Sequence, residues 1–243
     1  GKSSLCNALF QGEVTPVSDV HAGTREVRRF RLSGHGHSMV ITDLPGVGES
    51  RDRDAEYEAL YRDILPKLDL VLWLIKADDR ALSVDEYFWR HILHRGHQRV
   101  LFVVTQADKT EPCHEWDMAG IKPSPAQAQN IREKTEALFR LFRPVHPVVA
   151  VSARTGWELD TLVSALMTAL PDHAASPLMT RLQDGLRTES VRSQAREQFT
   201  GAVDRIFDTA ESVCVASVVR TALRAVRDTV VSVARAVWNW IFF

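Results

Sequence analysis

The residues with the most chemistry to offer stand at the start. Gly1-Lys2-Ser3-Ser4 has the order glycine, cation, hydroxyl of the second half of a phosphate-binding loop. In such a loop, G-x-x-x-x-G-K-[ST], backbone N–H groups surround phosphate oxygens, the lysine ammonium reaches the outer phosphates, and the hydroxyl takes a place on Mg²⁺. The tripeptide Gly-Lys-Ser alone also arises by chance ahead of an ordinary helix, so its meaning depends on the residues downstream. Next come Thr24 in His21-Ala22-Gly23-Thr24-Arg25, then Asp43 and Gly46 in Asp43-Leu44-Pro45-Gly46, Asp108 in Thr105-Gln106-Ala107-Asp108, and finally Ser152-Ala153-Arg154. A carboxylate such as Asp108 can accept two hydrogen bonds side by side from neighbouring donors. Each residue also has a plainer reading: Thr24 as a loop threonine, Asp43 as a strand-end turn, Asp108 as a helix cap.

These boxes need elements to hold them. Residue patterning predicts a helix over Ser4 to Gln11, a polar loop over Gly12 to Arg25, and an alternating strand from Glu26 to Leu32. The turn signal Ser33 to His37 closes a hairpin into a strand at Met39 to Thr42. Leu70 to Ile75, Val100 to Val104 and Pro147 to Val151 are short apolar runs of the kind that form buried parallel strands. The boxes after the first therefore fall mostly at the carboxyl ends of strands, where open α/β sheets bind ligands. The fold class is α/β.

With the boxes in this order, the chain resembles the Era/TrmE branch of translation-factor-class P-loop GTPases, and within it the small Era-like proteins of enterobacterial prophage regions, the YfjP/YkfA/YeeP group. The resemblance covers Gly1 to about Leu170, and its most specific elements are the D-L-P-G and S-A-R boxes. It implies a Ras-like sheet and GTP/GDP with Mg²⁺ as ligands. Gly1, Lys2, Ser3 and Ser4 would hold the phosphates, with Ser3, Thr24 and Asp43 on Mg²⁺ and the Gly46 amide at the γ phosphate. Lys2, Thr24 and Gly46 would form the catalytic set. Loss of the γ phosphate would release the loops Gly12 to Arg25 and Pro45 to Asp54. Thr105, Gln106 and Asp108 would face the base, and the amides of Ser152 and Ala153 would meet the guanine carbonyl oxygen.

The chain departs from that family at defined points. Thr105-Gln106-Ala107-Asp108 replaces N-K-x-D, which keeps the guanine-reading carboxylate but shortens both residues ahead of it and should weaken binding. Val47 follows D-L-P-G where a glutamine would orient water, so the expected turnover is slow. In the resembled branch K⁺ supplies charge instead, held by an asparagine expected ahead of Gly1. Arg25, Arg51 and Arg53 lie in the expected switch loops and are charge stabilisers or solvated surface residues. The strand that precedes the phosphate loop, central in such a sheet between Met39–Thr42 and Leu70–Ile75, is not in the sequence. The expectation is therefore an N-terminally truncated domain.

Composition bounds the rest. A chain of 243 residues with 45% hydrophobic content is long enough for a full core plus an appendage, read as a GTP-binding domain over 1–171 and a helical extension over 172–243. A net charge of −1 gives no bulk attraction for nucleic acid. Cys6, Cys113 and Cys214 have no metal or disulfide spacing, which suits a cytoplasmic protein. His91, His94 and His97 read as a solvated cluster, and Trp116, inside a loop from Thr110 to Pro125, as a packing anchor. Pro171 and Pro177 bracket an expected polar linker ahead of a mixed polar helix from Leu178 to Phe207. From Glu211 onward Arg220, Arg224, Arg227 and Arg235 share a helix with an apolar face that ends in aromatic residues. That helix packs on the protein, lies on the inner membrane surface, or meets a partner protein or RNA. No G-x-x-G loop marks a KH module there. The function expected is a slow Era-like GTPase or nucleotide switch associated with ribosome assembly or tRNA modification. The alternatives are a degenerate prophage-derived interaction module without nucleotide binding and a peripheral membrane GTPase.

Overall fold

The computed structural model describes residues 2–22, 25–34, 37–47, 51–93 and 97–213. Gly1, Thr24, His94 and the arginine-bearing tail from 214 onward lie outside them. The first helix, α1 (Lys2–Leu9), starts two residues earlier than expected and buries Leu5 and Leu9, one turn apart. Three strands follow, β1 (Glu13–Ala22), β2 (Arg25–Gly34) and β3 (His37–Asp43), as an antiparallel sheet in the order β1-β2-β3. The polar loop expected from Gly12 is thus mostly strand. Val14, Thr15, Val17 and Val20 favour extended backbone, and β1 runs against β2 from Glu13↔Ser33 to Ala22↔Arg25. Its register shifts between Pro16 and Ser18, where proline has no N–H to give the ladder.

The second sheet is parallel, in the order β4-β5-β6, with β4 at Val71–Lys76, β5 at Val100–Thr105 and β6 at Val149–Ala150. Every residue of the central strand β5 is buried, as expected for a strand covered on both faces. Strand alternation divides the interior in two. Leu101 and Val103 of β5 point into one core, shared with α1 and α5 (Leu159–Ala169). Val100, Phe102 and Val104 point into the other, under α3 (Ser83–His91) and α4 (Pro125–Phe142). There Phe102 stacks on Phe142 at 4.6 Å and meets the edge of Trp89 at 5.1 Å. α2 (Arg51–Ile64) takes in the end of the stretch from Pro45 to Asp54 read as a second switch loop, so Arg51 and Arg53 lie on a helix, and Arg25 opens β2. Among the described residues β3 and β4 share no ladder; the strands on either side of the expected absent strand belong to separate sheets.

The expected linker between Pro171 and Pro177 is helix. α6 (Asp172–Arg181) passes through Pro177 because Ala175, Leu178, Met179 and, just beyond its end, Leu182 recur on one face and are buried with Leu5 and Leu9 of α1. α7 (Glu189–Val213) adds Val191 and Ala195 to the same core. Backbone pairing fastens the end of α6 to the end of α1. The Gln11 amide donates to Arg181 O at 2.7 Å, and the Gln183 amide to Leu9 O at 2.8 Å. The buried guanidinium of Arg181 donates from Nη1 to Ser33 O at 2.8 Å, reaching the tip of the β2–β3 hairpin. Trp116 is buried edge-on against Trp157 at 5.7 Å and anchors the 110–125 loop as expected. α3 ends at His91, and no group of histidines, cysteines or carboxylates among the described residues is arranged to hold a metal ion. No helix among those residues is long and apolar enough to cross a membrane.

Candidate nucleotide-binding site

Lys2, Ser3 and Ser4 form the first turn of α1 and are exposed, with no acidic residue in that turn to occupy its free N–H groups. Asp43 closes β3, and its Oδ1 lies 3.4 Å from the Lys2 ammonium, which donates to Leu44 O at 3.2 Å. Residues 41 positions apart are brought together because α1 begins beside the end of β3. Asp43 Oδ1 is shut off from solvent and accepts no hydrogen bond. A shielded carboxylate oxygen that accepts no hydrogen bond is a hard-oxygen ligand of the kind that fits Mg²⁺ or a water bound to it.

The D-L-P-G segment is pinned from α2, where the phenol of Tyr61 donates to Pro45 O at 2.8 Å. Burial, followed by the nearby Tyr57, Asp43 and Asp85, pushes the Tyr61 phenol well above its ordinary range, so it stays a donor. Burial and then Asp43 also raise the Cys6 thiol on α1, which remains protonated beside the carboxylate. A Cβ added to Gly46 would meet nothing within 4 Å, so no packing contact demands glycine there. Val47 is half-buried against the aromatic core.

The second part of the site is built at the ends of β5 and β6. Thr105 ends β5; its carbonyl accepts from the Ala77 amide at 2.9 Å, and its hydroxyl reaches Ile75 O only at 3.5 Å. That short side chain ties the loop to β4. Gln106 adopts left-handed backbone at φ 59°, a conformation uncommon for a non-glycine residue and typical of functional loops. The Ala107 amide donates to Val151 O at 3.1 Å, which draws the two loops together. Asp108 is buried. Its Oδ1 accepts from the Ser152 hydroxyl at 2.6 Å and its Oδ2 from Arg154 Nε at 2.8 Å. The Ser152 amide donates to Trp157 O at 3.1 Å, so in this state Ser152 offers the site its hydroxyl, while Ala153 is half-buried beside it.

The structure therefore brings Lys2 and Asp43 together, with Ser3 next to Lys2 in the first turn of α1, and brings Asp108 and Ser152 together just past the ends of β5 and β6. Gly1 and Thr24 stand outside the described residues. Sequence reasoning gave no role to Arg154 or Tyr61. Arg154 was visible as the charge that closes the S-A-R box, whereas nothing local distinguishes Tyr61 from an ordinary helical aromatic.

A family model described as 50S ribosome-binding GTPase matches residues 1–106. YeeP of Escherichia coli K12 is 94% identical over 183 residues, covering 75% of this chain and 78% of that protein. YfjP of the same organism is 52% identical over 244 residues, covering 100% of this chain and 84% of that protein. Among solved structures, Era in complex with MgGDPNP and nucleotides 1506-1542 of 16S ribosomal RNA matches with a TM-score of 0.50 and 23% identity, covering 70% of this chain and 53% of that one. The last match bears on the fold alone. The chain belongs to the Era/TrmE-like P-loop GTPase family, a class of GTP-binding proteins, and its fold is the Ras-like α/β fold of that class.

Proposed function

We propose that this protein is a slow GTPase or nucleotide-dependent switch that binds GTP and GDP with Mg²⁺. The observation that carries the reading is the meeting of the Lys2 ammonium with Asp43 Oδ1 at 3.4 Å, where that buried oxygen accepts no hydrogen bond. The ammonium would take up charge on the β and γ phosphates, and the exposed N–H groups at the start of α1 would donate to phosphate oxygens. Ser3, Asp43 and Thr24 would hold Mg²⁺, which when bound neutralises phosphate charge. Gly46 is exposed, and its amide would meet the γ phosphate. Asp108 would take the guanine donors, with the Ala153 amide near the carbonyl oxygen. Val47 gives no side chain to orient water, so turnover is slow and depends on charge supplied from elsewhere, K⁺ included.

We place the GTP-binding unit at 1–171 and treat the helices after it as the appended part. Its cellular association, by family likeness, is with ribosome assembly or tRNA modification. Hydrolysis is tested by release of phosphate from GTP under single-turnover conditions in KCl and in NaCl. Slow release that is lost in Lys2→Ala supports the reading, and release unchanged by that substitution contradicts it. One observation favours a second reading, an interaction module without nucleotide. Both oxygens of Asp108 already have protein donors, so the base-reading group is satisfied without a base.

A further inference from the structure

Arg154 is peculiarly placed. Its side chain is 63% exposed, yet its Nε donates to the carboxylate of Asp108, which is 3% exposed. The exposed guanidinium thus reaches the buried carboxylate from the solvent side. Nη2 rests 3.9 Å from the sulfur of Met118, which seats the group against the 110–125 loop. Ser152, in contrast, holds Oδ1 from inside and accepts from the Thr155 amide at 3.2 Å, so it is fixed on both sides. Ser152 is fully buried and holds Oδ1 from the protein side, so it can stay while a base approaches. The charged donor on Oδ2 comes from the solvent side, the side from which a ligand arrives.

We propose that Arg154 is a specificity-determining residue for the base, an internal donor that guanine must displace from Asp108 Oδ2. The proposal rests on the nucleotide-binding reading of the site. Guanine needs both oxygens, one for N1–H and one for the exocyclic amine, so it meets Arg154 directly. A base with N1–H but no amine, hypoxanthine, needs a single oxygen and leaves Arg154 in place. The ion pair consequently weakens GDP more than IDP and narrows the preference between them. It also keeps a buried carboxylate paired whenever no base is present, which an unpaired charge there would make costly.

Calorimetric titration of GDP and IDP into the wild-type chain, Arg154→Ala and Arg154→Lys, with Mg²⁺ present and thermal melts as a check on folding, tests this. In Arg154→Ala, GDP should bind about 3- to 10-fold more tightly, IDP should change less, and the GDP/IDP ratio should widen. Arg154→Lys, which restores a cation, should return both values toward wild type. Equal GDP affinity and an unchanged ratio in Arg154→Ala, or weaker GDP binding, would overturn the proposal while leaving nucleotide binding intact. If neither the folded wild type nor folded Arg154→Ala binds GDP, the proposal and the nucleotide-binding reading fall together.

Discussion

The hydroxyl of Ser152 donates to Asp108 Oδ1 at 2.6 Å across 44 residues of sequence, and both groups are buried. This bond orients the carboxylate that would read guanine, because it fixes one oxygen from inside the protein. It also joins the loop after β5 to the loop after β6. The same hydroxyl accepts from the Thr155 amide, so one side chain satisfies a buried acceptor and a backbone donor together.

Ser152→Ala would leave Asp108 Oδ1 without its buried donor and the Thr155 amide without its acceptor. The expected loss of stability is about 1–3 kcal/mol, the cost of unsatisfied buried polar groups. Chemical denaturation measures it, and a change below about 0.5 kcal/mol would show that the bond contributes little.

Ser3→Ala removes an exposed hydroxyl and should shift stability by no more than about 0.5 kcal/mol. It should, however, abolish the part of GDP affinity that depends on Mg²⁺. Titrations with Mg²⁺ and with EDTA would then coincide in the variant and differ in the wild type. A persistent Mg²⁺ effect in Ser3→Ala would place the ion elsewhere.

Leu182 is fully buried with Leu5 and Leu9, where the end of α6 meets α1. Leu182→Ala is expected to cost about 2–5 kcal/mol in a cooperative unfolding transition. A much smaller loss would mean that α6 and α7 contribute little to the stability of the sheet domain.

Asp85 accepts from Trp73 Nε1 at 2.7 Å, and burial raises its carboxyl above the ordinary range, partly offset by that bond and by Lys134 and reinforced by Asp79. A group whose folded pKa is raised favours the native state while protonated, and that contribution is lost as pH climbs from the unfolded pKa through the folded one. Asp85→Asn keeps an acceptor for Trp73 without the buried charge. It should be more stable than wild type at neutral pH, with the difference vanishing below about pH 4. Denaturation midpoints at both pH values check the sign, and a variant less stable at neutral pH would contradict it.

The parallel sheet was legible because Val100 to Val104 and Leu70 to Ile75 are apolar runs whose burial follows from composition. Asp43 and Asp108 were legible because their boxes sit where such strands end. β1 was hidden: its residues alternate with polar neighbours and a proline, and only the ladder with β2 makes them a strand. α6 was hidden by Pro177, since an apolar face completed at Leu182 outweighs one missing backbone donor. The Arg154 contact depends on the return of the chain beside β5, 46 residues away, and no local pattern encodes it.

The most direct measurement is a titration of fluorescent GDP into this chain with Mg²⁺ present, competed by unlabelled GTP and by ATP, with Asp108→Ala alongside. The account predicts micromolar binding, on the order of −8 kcal/mol, displaced by GTP and not by ATP and lost in Asp108→Ala. Absence of binding by a folded chain, or displacement by ATP as readily as by GTP, would contradict it.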